Sequence, residues 1–332
     1  LLSVGALVVA ALLLASACTS GGDRLTVYSG RTENLIGPLL EDFVDETGIK
    51  IDVRYGGSEE LALLIETEEE NGNSPADVFI SQSPGAVGFL TERDLLAPLG
   101  QEVLDLVDEE NRSSEGTWVG LSGRVRVLVY DTDEVDEADL PASVLDLTDP
   151  EYQGQVAVAP SNGSFQDFVS GMRAELGDDA TADWLDGMAA NDSPVYANNT
   201  AIVEAVGRGE VPMGLVNHYY NFRALEEDPS ASSANHSFEP GDIGNLLIDT
   251  AMGVLASSDR SEDADALVRF LLSRAAQEFF SQETFEYPLA AGVEPAPELT
   301  PLSELDPFRI DLDELGSQLE RTRELIDQSG LG

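Results

Sequence analysis

From residue 25 the chain alternates short runs of β pattern with longer runs of helical period. LTVYSG (25–30) reads as a strand, with Leu25 and Val27 on one side and the β-former Tyr28 beside them. TENLIGPLLEDFVDETG (32–48) places Leu35, Leu39, Leu40 and Phe43 on one helical face, with Thr32 as the expected N-cap and Gly48 as the stop. IDVRYG (51–56) is a second strand, SEELALLIETEEENG a second helix opened by Ser58, and ADVFIS (76–81) a third, buried strand. A short helix and a loop follow in SPGAVGFLTERDLLAPL. Strands alternating with helices predict a mostly parallel sheet covered on both faces.

The pattern changes at residues 116–133, GTWVGLSGRVRVLVYDTD, a long β run interrupted between Gly120 and Gly123. Such length suits a strand crossing from one lobe to another. After it come a strand in QVAVAPS, helices in DFVSGMRAEL and TADWLDGMAAN, a helix in NTAIVEAVGRGE and a buried strand in VPMGLVN. GNLLIDTAMGVLAS is a second long β run and a candidate return crossing. SEDADALVRFLLSRAAQEFFSQ reads as one amphipathic helix, VEPAPELTPLSELDPF as a Pro-rich wrap, and the tail as a final helix. The expected fold class is α/β, two mixed-sheet lobes joined by two hinge crossings. The expected boundaries are 25–124 plus 250–300 for the first lobe and 125–249 plus 301–332 for the second. A length of 332 residues suits two medium lobes better than one core.

Residues 1–18, LLSVGALVVAALLLASAC, form an uncharged apolar run that ends at the single cysteine, Cys18. The run fits the core of a secretory signal over 1–17, with its start truncated. ASAC followed by TSGGD resembles a bacterial lipoprotein signal, in which Cys18 would carry the lipid and 18–24 would form a tether. Ala15 stands where leucine is commonest, with Leu14 beside it. A membrane-spanning anchor is the alternative, since ~18 apolar residues can span a bilayer. Both readings put the body outside the cytoplasm, lipid-anchored to the outer face of the cell membrane or periplasmic. The body has 63 acidic and 17 basic residues in the full chain, a net charge of −46, so nucleic acid is a poor partner.

Ligand sites in such sheets lie beyond the carboxyl ends of strands. Four loops stand there: SGRTEN with Arg31, Thr32 and Glu33, ISQSPG with Gln82, SNGSF with Ser161, Asn162, Gly163 and Ser164, and NHYYN with Asn217, His218, Tyr219 and Tyr220. Two adjacent tyrosines cannot serve one point within a strand, but in a first helical turn they sit about 100° apart and can converge. A hard, highly charged cation nearby favours phenolate; space-filling is the other use of such rings. Glu33 is either a ligand or a first-turn carboxylate favoured by the helix dipole. Gln82 is either a poor metal ligand or a side chain bonded to loop backbone. Asn199 is a candidate N-cap. The SNGSF loop can present N–H groups to an anion. Arg124 and Arg126 either bind an anion or stitch the hinge, and Arg31 joins them as a candidate anion partner. His218 either substitutes as a ligand or hydrogen-bonds nearby.

LTVYSGRTE, ETGIKIDVRYG, SPADVFISQ, GLSGRVRVLVYDTD, DLTDPEYQGQVAVAPSNGSF, YANNTAIVEAV, GLVNHYYNF and ETFEYPL, in this order and spacing, resemble the periplasmic ferric-ion-binding proteins. These are the bacterial transferrin-like substrate-binding components of ABC iron importers. The resemblance implies a type II periplasmic-binding-protein fold without catalysis, working as a monomer with an ABC permease and its ATPase. It also implies Fe3+ as transported ligand and a synergistic anion such as carbonate, phosphate or citrate. By the resemblance, Tyr219 and Tyr220 match the iron-binding pair, and Asn199, Asn217 and the SNGSF loop match the anion positions. The first lobe departs from the family, with Thr32 where histidine is common, Glu33 where some members have tyrosine, and Gln82 where many have glutamate. Two phenolates with the Glu33 carboxylate, or two phenolates with a bound anion, would balance ferric iron. The alternative expectation is a non-iron solute on the same fold: thiamine, a phosphonate, a polyamine or another small organic ion. No G-x-S-x-G elbow is present, and neither His218 nor His236 has a nucleophile context, which argues against a hydrolase.

Overall fold

The structure, a computed structural model, describes residues 24–310 and 319–331. The signal-like segment 1–17 and Cys18 lie outside the described residues. Strands β1 (Leu25–Ser29), β2 (Ile51–Tyr55) and β3 (Val78–Ser81) alternate with helices α1 (Glu33–Thr47), α2 (Ser58–Glu70) and α3 (Pro84–Thr91). The short α4 (Gln101–Leu104) leads into β4 (Trp118–Asp131). Next come β5 (Val156–Ala157), α5 (Gly163–Leu176), α6 (Asp178–Ala190), α7 (Asn199–Gly207), β6 (Met213–Asn217) and α8 (His218–Glu227). Strands β7 (Ser233–His236) and β8 (Leu247–Val254) are followed by α9 (Ser261–Leu271), α10 (Arg274–Gln282), β9 (Tyr287–Pro288), α11 (Leu302–Leu305) and α12 (Leu319–Ser329).

The strands join in the order β2-β1-β3-β8-β4-β6-β5, with β7 and β9 on β4. Among the strands of the described residues, parallel pairing is confined to β1–β2, β1–β3 and β5–β6, and every pair made by β4 or β8 is antiparallel. The sheet is therefore mixed, as the expected fold class has it, and the parallel arrangement read from the first βα units ends at β3. The long crossing strands reverse the direction that the βα units set up. β4 serves both halves of the molecule: 118–125 pairs with β8, and 126–130 pairs with β6. The irregularity foreseen near Gly120 is a register shift between Gly120 and Ser122. A Cβ on Gly120 would meet Leu289 at 2.9 Å and the Asn111 carbonyl at 3.1 Å.

Apolar side chains gather on each half. Leu25, Val27, Ile36, Phe43, Ile80 and Leu267 pack on one, and Leu128, Phe165, Phe168, Trp184 and Leu215 on the other. A third cluster, with Val125, Tyr219, Leu247, Phe285 and Tyr287, sits where β4 and β8 pass between them.

Local details correct the sequence reading in several places. Thr32 is at the N-cap position of α1, but its hydroxyl bonds Asn34 Oδ1 at 2.5 Å instead of the helix backbone. Gly48 ends α1 in the left-handed conformation, φ 74°, as expected. Ser58 lies inside α2, with Gly57 as cap. Asn198, not Asn199, caps α7 by accepting from the Ala201 N–H at 2.9 Å. The expected single helix over 261–282 is two, because Ser273 starts α10 by accepting from the Ala276 N–H.

Candidate metal centre

β6 is buried along its whole length, and its end runs without a loop into α8 at His218. Tyr219 and Tyr220 therefore occupy the first turn of a helix, where adjacent side chains can converge. Their rings stack with centroids 4.3 Å apart at 27°. Tyr219 is 2% exposed and Tyr220 half-buried, and both line an interlobe cavity of about 180 Å³. Burial, followed by the charge of Tyr220, holds the Tyr219 phenol well above the ordinary tyrosine value. The phenol is therefore neutral at pH 7, and a cation held at this position would displace its proton. The N-terminal end of α8 favours the resulting negative charge.

His218 faces away from this cavity. Its Nδ1 accepts from the Val125 N–H at 3.1 Å, and its Nε2 donates to the Phe285 carbonyl at 2.6 Å. Burial lowers its pKa to about 4. With both ring nitrogens engaged, His218 is a structural pin between β4 and the segment before β9.

Several of the expected anion residues stand on or beside the second-lobe wall. Asn162 caps α5, its Oδ1 accepting from the Ser164 N–H at 3.1 Å and from Ser164 Oγ at 2.7 Å. Asn199 Nδ2 donates to Ser164 Oγ at 3.0 Å, while Asn199 Oδ1 is buried without a partner. Arg126 Nη1 donates to Asn217 Oδ1 at 3.2 Å and to Ser164 Oγ at 3.4 Å. Its Nε and Nη2 are buried and unpartnered, and burial pushes its pKa down to about 9. Asn162, Gly163, Ser164 and Asn217 line the cavity; Ser161 is exposed and does not.

On the first-lobe wall stand Gly30, Gly57, Ser58, Glu59, Gln82 and Ser83, with Arg124 from the crossing strand. Ser58 Oγ accepts from the Gln82 N–H at 3.0 Å, and Arg124 Nη2 donates to the Gln82 carbonyl. Gly30 is required here, because a Cβ on it would lie 2.1 Å from Ser58 Oγ. Ser83 Oγ donates across the cleft to Asp167 Oδ1 at 3.0 Å. Burial, followed by the charge of Glu59, raises the Asp167 pKa to about 7.

Besides Ser161, Glu33 and Arg31 are not brought to the cavity, and Asn199 and Arg126 bond Ser164 and Asn217 without lining it. Glu33 is exposed and lines a separate depression with Gly37, Glu41, Asp45 and Tyr55. Arg31 is fully buried in an ion pair with Glu286, Nη1 to Oε2 at 2.9 Å, with Ser122 and Thr250 alongside. Its guanidinium stitches the crossing strands; Nε is buried without a partner, and the residue does not line the cavity. Sequence reasoning missed Ser58, Glu59, Ser83 and Asp167. Ser58 and Glu59 follow β2, so the strand-end rule that selected the other loops also applies to GGSEE. Asp167 lies one helical turn beyond Gly163 on α5, a position that loop reading skips.

Residues 73–314 match the model of the bacterial extracellular solute-binding protein family, and the chain belongs to that family. Within it, the chain is 33% identical over 331 residues to the Fe(3+)-binding periplasmic protein of Serratia marcescens, covering 98% of this chain and 96% of that one. Iron-bound HitA from Pseudomonas aeruginosa superposes with a TM-score of 0.86 at 34% identity, covering 92% of this chain and 99% of that one. A Trichodesmium protein solved with iron and citrate superposes at 0.79 with 27% identity, covering 93% and 100%. The resemblance seen in the motifs thus extends over the whole described body.

Proposed function

We propose that this protein is the substrate-binding component of an ABC importer, capturing ferric iron in the interlobe cleft and delivering it to a permease and its ATPase. The observation that carries this reading is the Tyr219–Tyr220 pair, stacked in the first turn of α8 and facing the cleft. Two phenolates suit a hard trivalent cation. A relative at 34% identity has been solved with iron bound. Arg126, with two unpartnered buried nitrogens, and Asn199, with an unpartnered buried oxygen, frame the position for a synergistic anion beside Asn162, Gly163, Ser164 and Asn217. Arg124, on the cavity wall, adds a second cation. Carbonate, phosphate or citrate all offer the acceptor oxygens that such a cradle needs; the Trichodesmium structure holds citrate with iron.

The reading includes no catalytic step. Ion capture needs a cleft that closes about its ligand, and the stretches near Val125 of β4 and Leu247 of β8, paired in the sheet, are the proposed hinge. The proposed lobes are 25–124 plus 250–300 and 125–249 plus 301–332, with lipidation at Cys18 as the anchor. Palmitate labelling that fails on a Cys18→Ser variant would support the anchor; equal labelling of both would reject it. The function is tested by titrating iron-free protein with ferric citrate while recording phenolate-to-iron absorption. Binding of an amine, a phosphonate or thiamine without colour would instead favour a different solute on the same fold.

A further inference from the structure

The cleft has two phenolate candidates on its second-lobe wall, and the first-lobe partner is open. Thr32 and the Gln82 amide are neutral, and the Gln82 carbonyl already accepts from Arg124. Glu33 opens into another depression. Among the described residues, one ionisable first-lobe carboxylate shares the cavity with both tyrosines: Glu59, half-buried in the first turn of α2.

We infer that Glu59 is the first-lobe carboxylate ligand of the ferric ion, completing with Tyr219 and Tyr220 a set of three negative charges. The inference rests on the ferric reading proposed above. Three features support it. First, Glu59 shares the first turn of α2 with Glu60, so the helix dipole does not depend on it alone, and among the described residues its carboxylate makes no hydrogen bond or ion pair. Glu59 is free for the cleft. Second, the start of α2 is held in place, since Ser58 Oγ takes the Gln82 N–H at 3.0 Å and fits against Gly30. A ligand on a pinned helix start is preorganised, and no loop has to be ordered when iron arrives. Third, the cavity is a built site: Tyr219 is 98% buried with its phenol on the wall, and Arg124 on the same wall is 3% exposed with Nε unpartnered. A trivalent ion in such a poorly solvated cleft needs matching negative charge. Two phenolates leave one positive charge, which Glu59 neutralises from the opposite lobe. Iron would then bridge the lobes directly and favour the closed form.

The test is iron affinity by citrate competition, with the visible spectrum recorded, on wild type, Glu59→Gln and Glu33→Gln. Thermal unfolding of the iron-free variants checks that each is folded. The expected result is a loss of roughly 100-fold or more for E59Q, beyond the 10–100-fold typical of an outer-sphere partner. Its absorption band should persist with a shifted maximum, because the phenolates remain. E33Q should match wild type. An unchanged affinity and band for a folded E59Q, or a comparable loss in E33Q, overturns the inference while leaving the phenolate reading intact. If E59Q fails to fold, Glu59→Asp decides, and wild-type affinity with an unshifted band in that shortened variant overturns the inference. Wild type without a phenolate band removes the ferric reading, and this inference falls with it.

Discussion

Arg31 and Glu286 form a fully buried ion pair, 2.9 Å between Nη1 and Oε2, joining the loop after β1 to the segment before β9. The same Arg31 nitrogen donates to Thr250 Oγ1 of β8 at 3.0 Å, and Ser122 Oγ of β4 donates to Glu286 Oε2 at 2.5 Å. The network thus holds both crossing strands and the start of the first-lobe cleft wall. Removing one partner of such a pair leaves an uncompensated buried charge, which costs about 3–5 kcal/mol. Glu286→Ala is expected to lower unfolding free energy by that amount in urea titration. A change under 1 kcal/mol would mean that the pair is not the constraint described.

Asp249 gives the stability curve a defined pH slope. Burial, the largest cause, raises its pKa from 3.8 to about 7, against the lowering effects of Arg309 and Arg124. Its carboxyl stays protonated in the native state while the unfolded chain ionises. Its favourable contribution is therefore fully present below pH 4 and is lost as pH rises to about 7. The difference is on the order of 4 kcal/mol, at 1.36 kcal/mol per pKa unit. Asp249→Asn should show a smaller decline between pH 4 and 8 than wild type. Parallel curves for the two proteins would contradict the assignment.

Iron capture should be coupled to proton release. Tyr219 is neutral in the iron-free cleft, so each phenol that becomes a ligand gives up a proton. With both phenols engaged, apparent affinity is expected to fall roughly 100-fold per pH unit on acidification, tenfold per proton. Competition against citrate between pH 8 and 6, corrected for protonation of the competitor, measures this slope. A flat profile would exclude phenolate formation.

Arg126 predicts an anion effect without iron. Its buried Nε and Nη2 lack partners, an electrostatic cost that a bound anion would relieve. Phosphate or citrate at 100 times its dissociation constant should stabilise the iron-free protein by about 2.7 kcal/mol. Arg126→Met should lose this stabilisation, read as the shift in thermal midpoint. An equal shift in both proteins would place the anion elsewhere.

The element order was legible because buried strands and amphipathic helices differ in period. The buried run of Met213–Asn217 and the α1 face of Leu35, Leu39, Leu40 and Phe43 both appear where the pattern puts them. The Tyr219–Tyr220 pair was legible because a strand ending in a helical turn is a local event. What the sequence hid depends on chain path. Glu33 and Glu59 are both first-turn acids that follow a parallel strand, and only the geometry separates them, one to an outer depression and one to the cleft. Arg31 and Arg126 look alike as cations near crossings, yet Glu286, over 250 residues from Arg31, neutralises the first alone. The polar β7 and the two-residue β9 carry too few side chains to show a period.

The most direct test of the central claim is visible absorption during titration of iron-free protein with ferric citrate, run on wild type and on a Tyr219→Phe, Tyr220→Phe double variant. The account expects a red-orange phenolate band that saturates at one iron per wild-type chain and is missing from the variant. Iron binding to the variant with the same band and the same stoichiometry, or no binding by wild type, would contradict it.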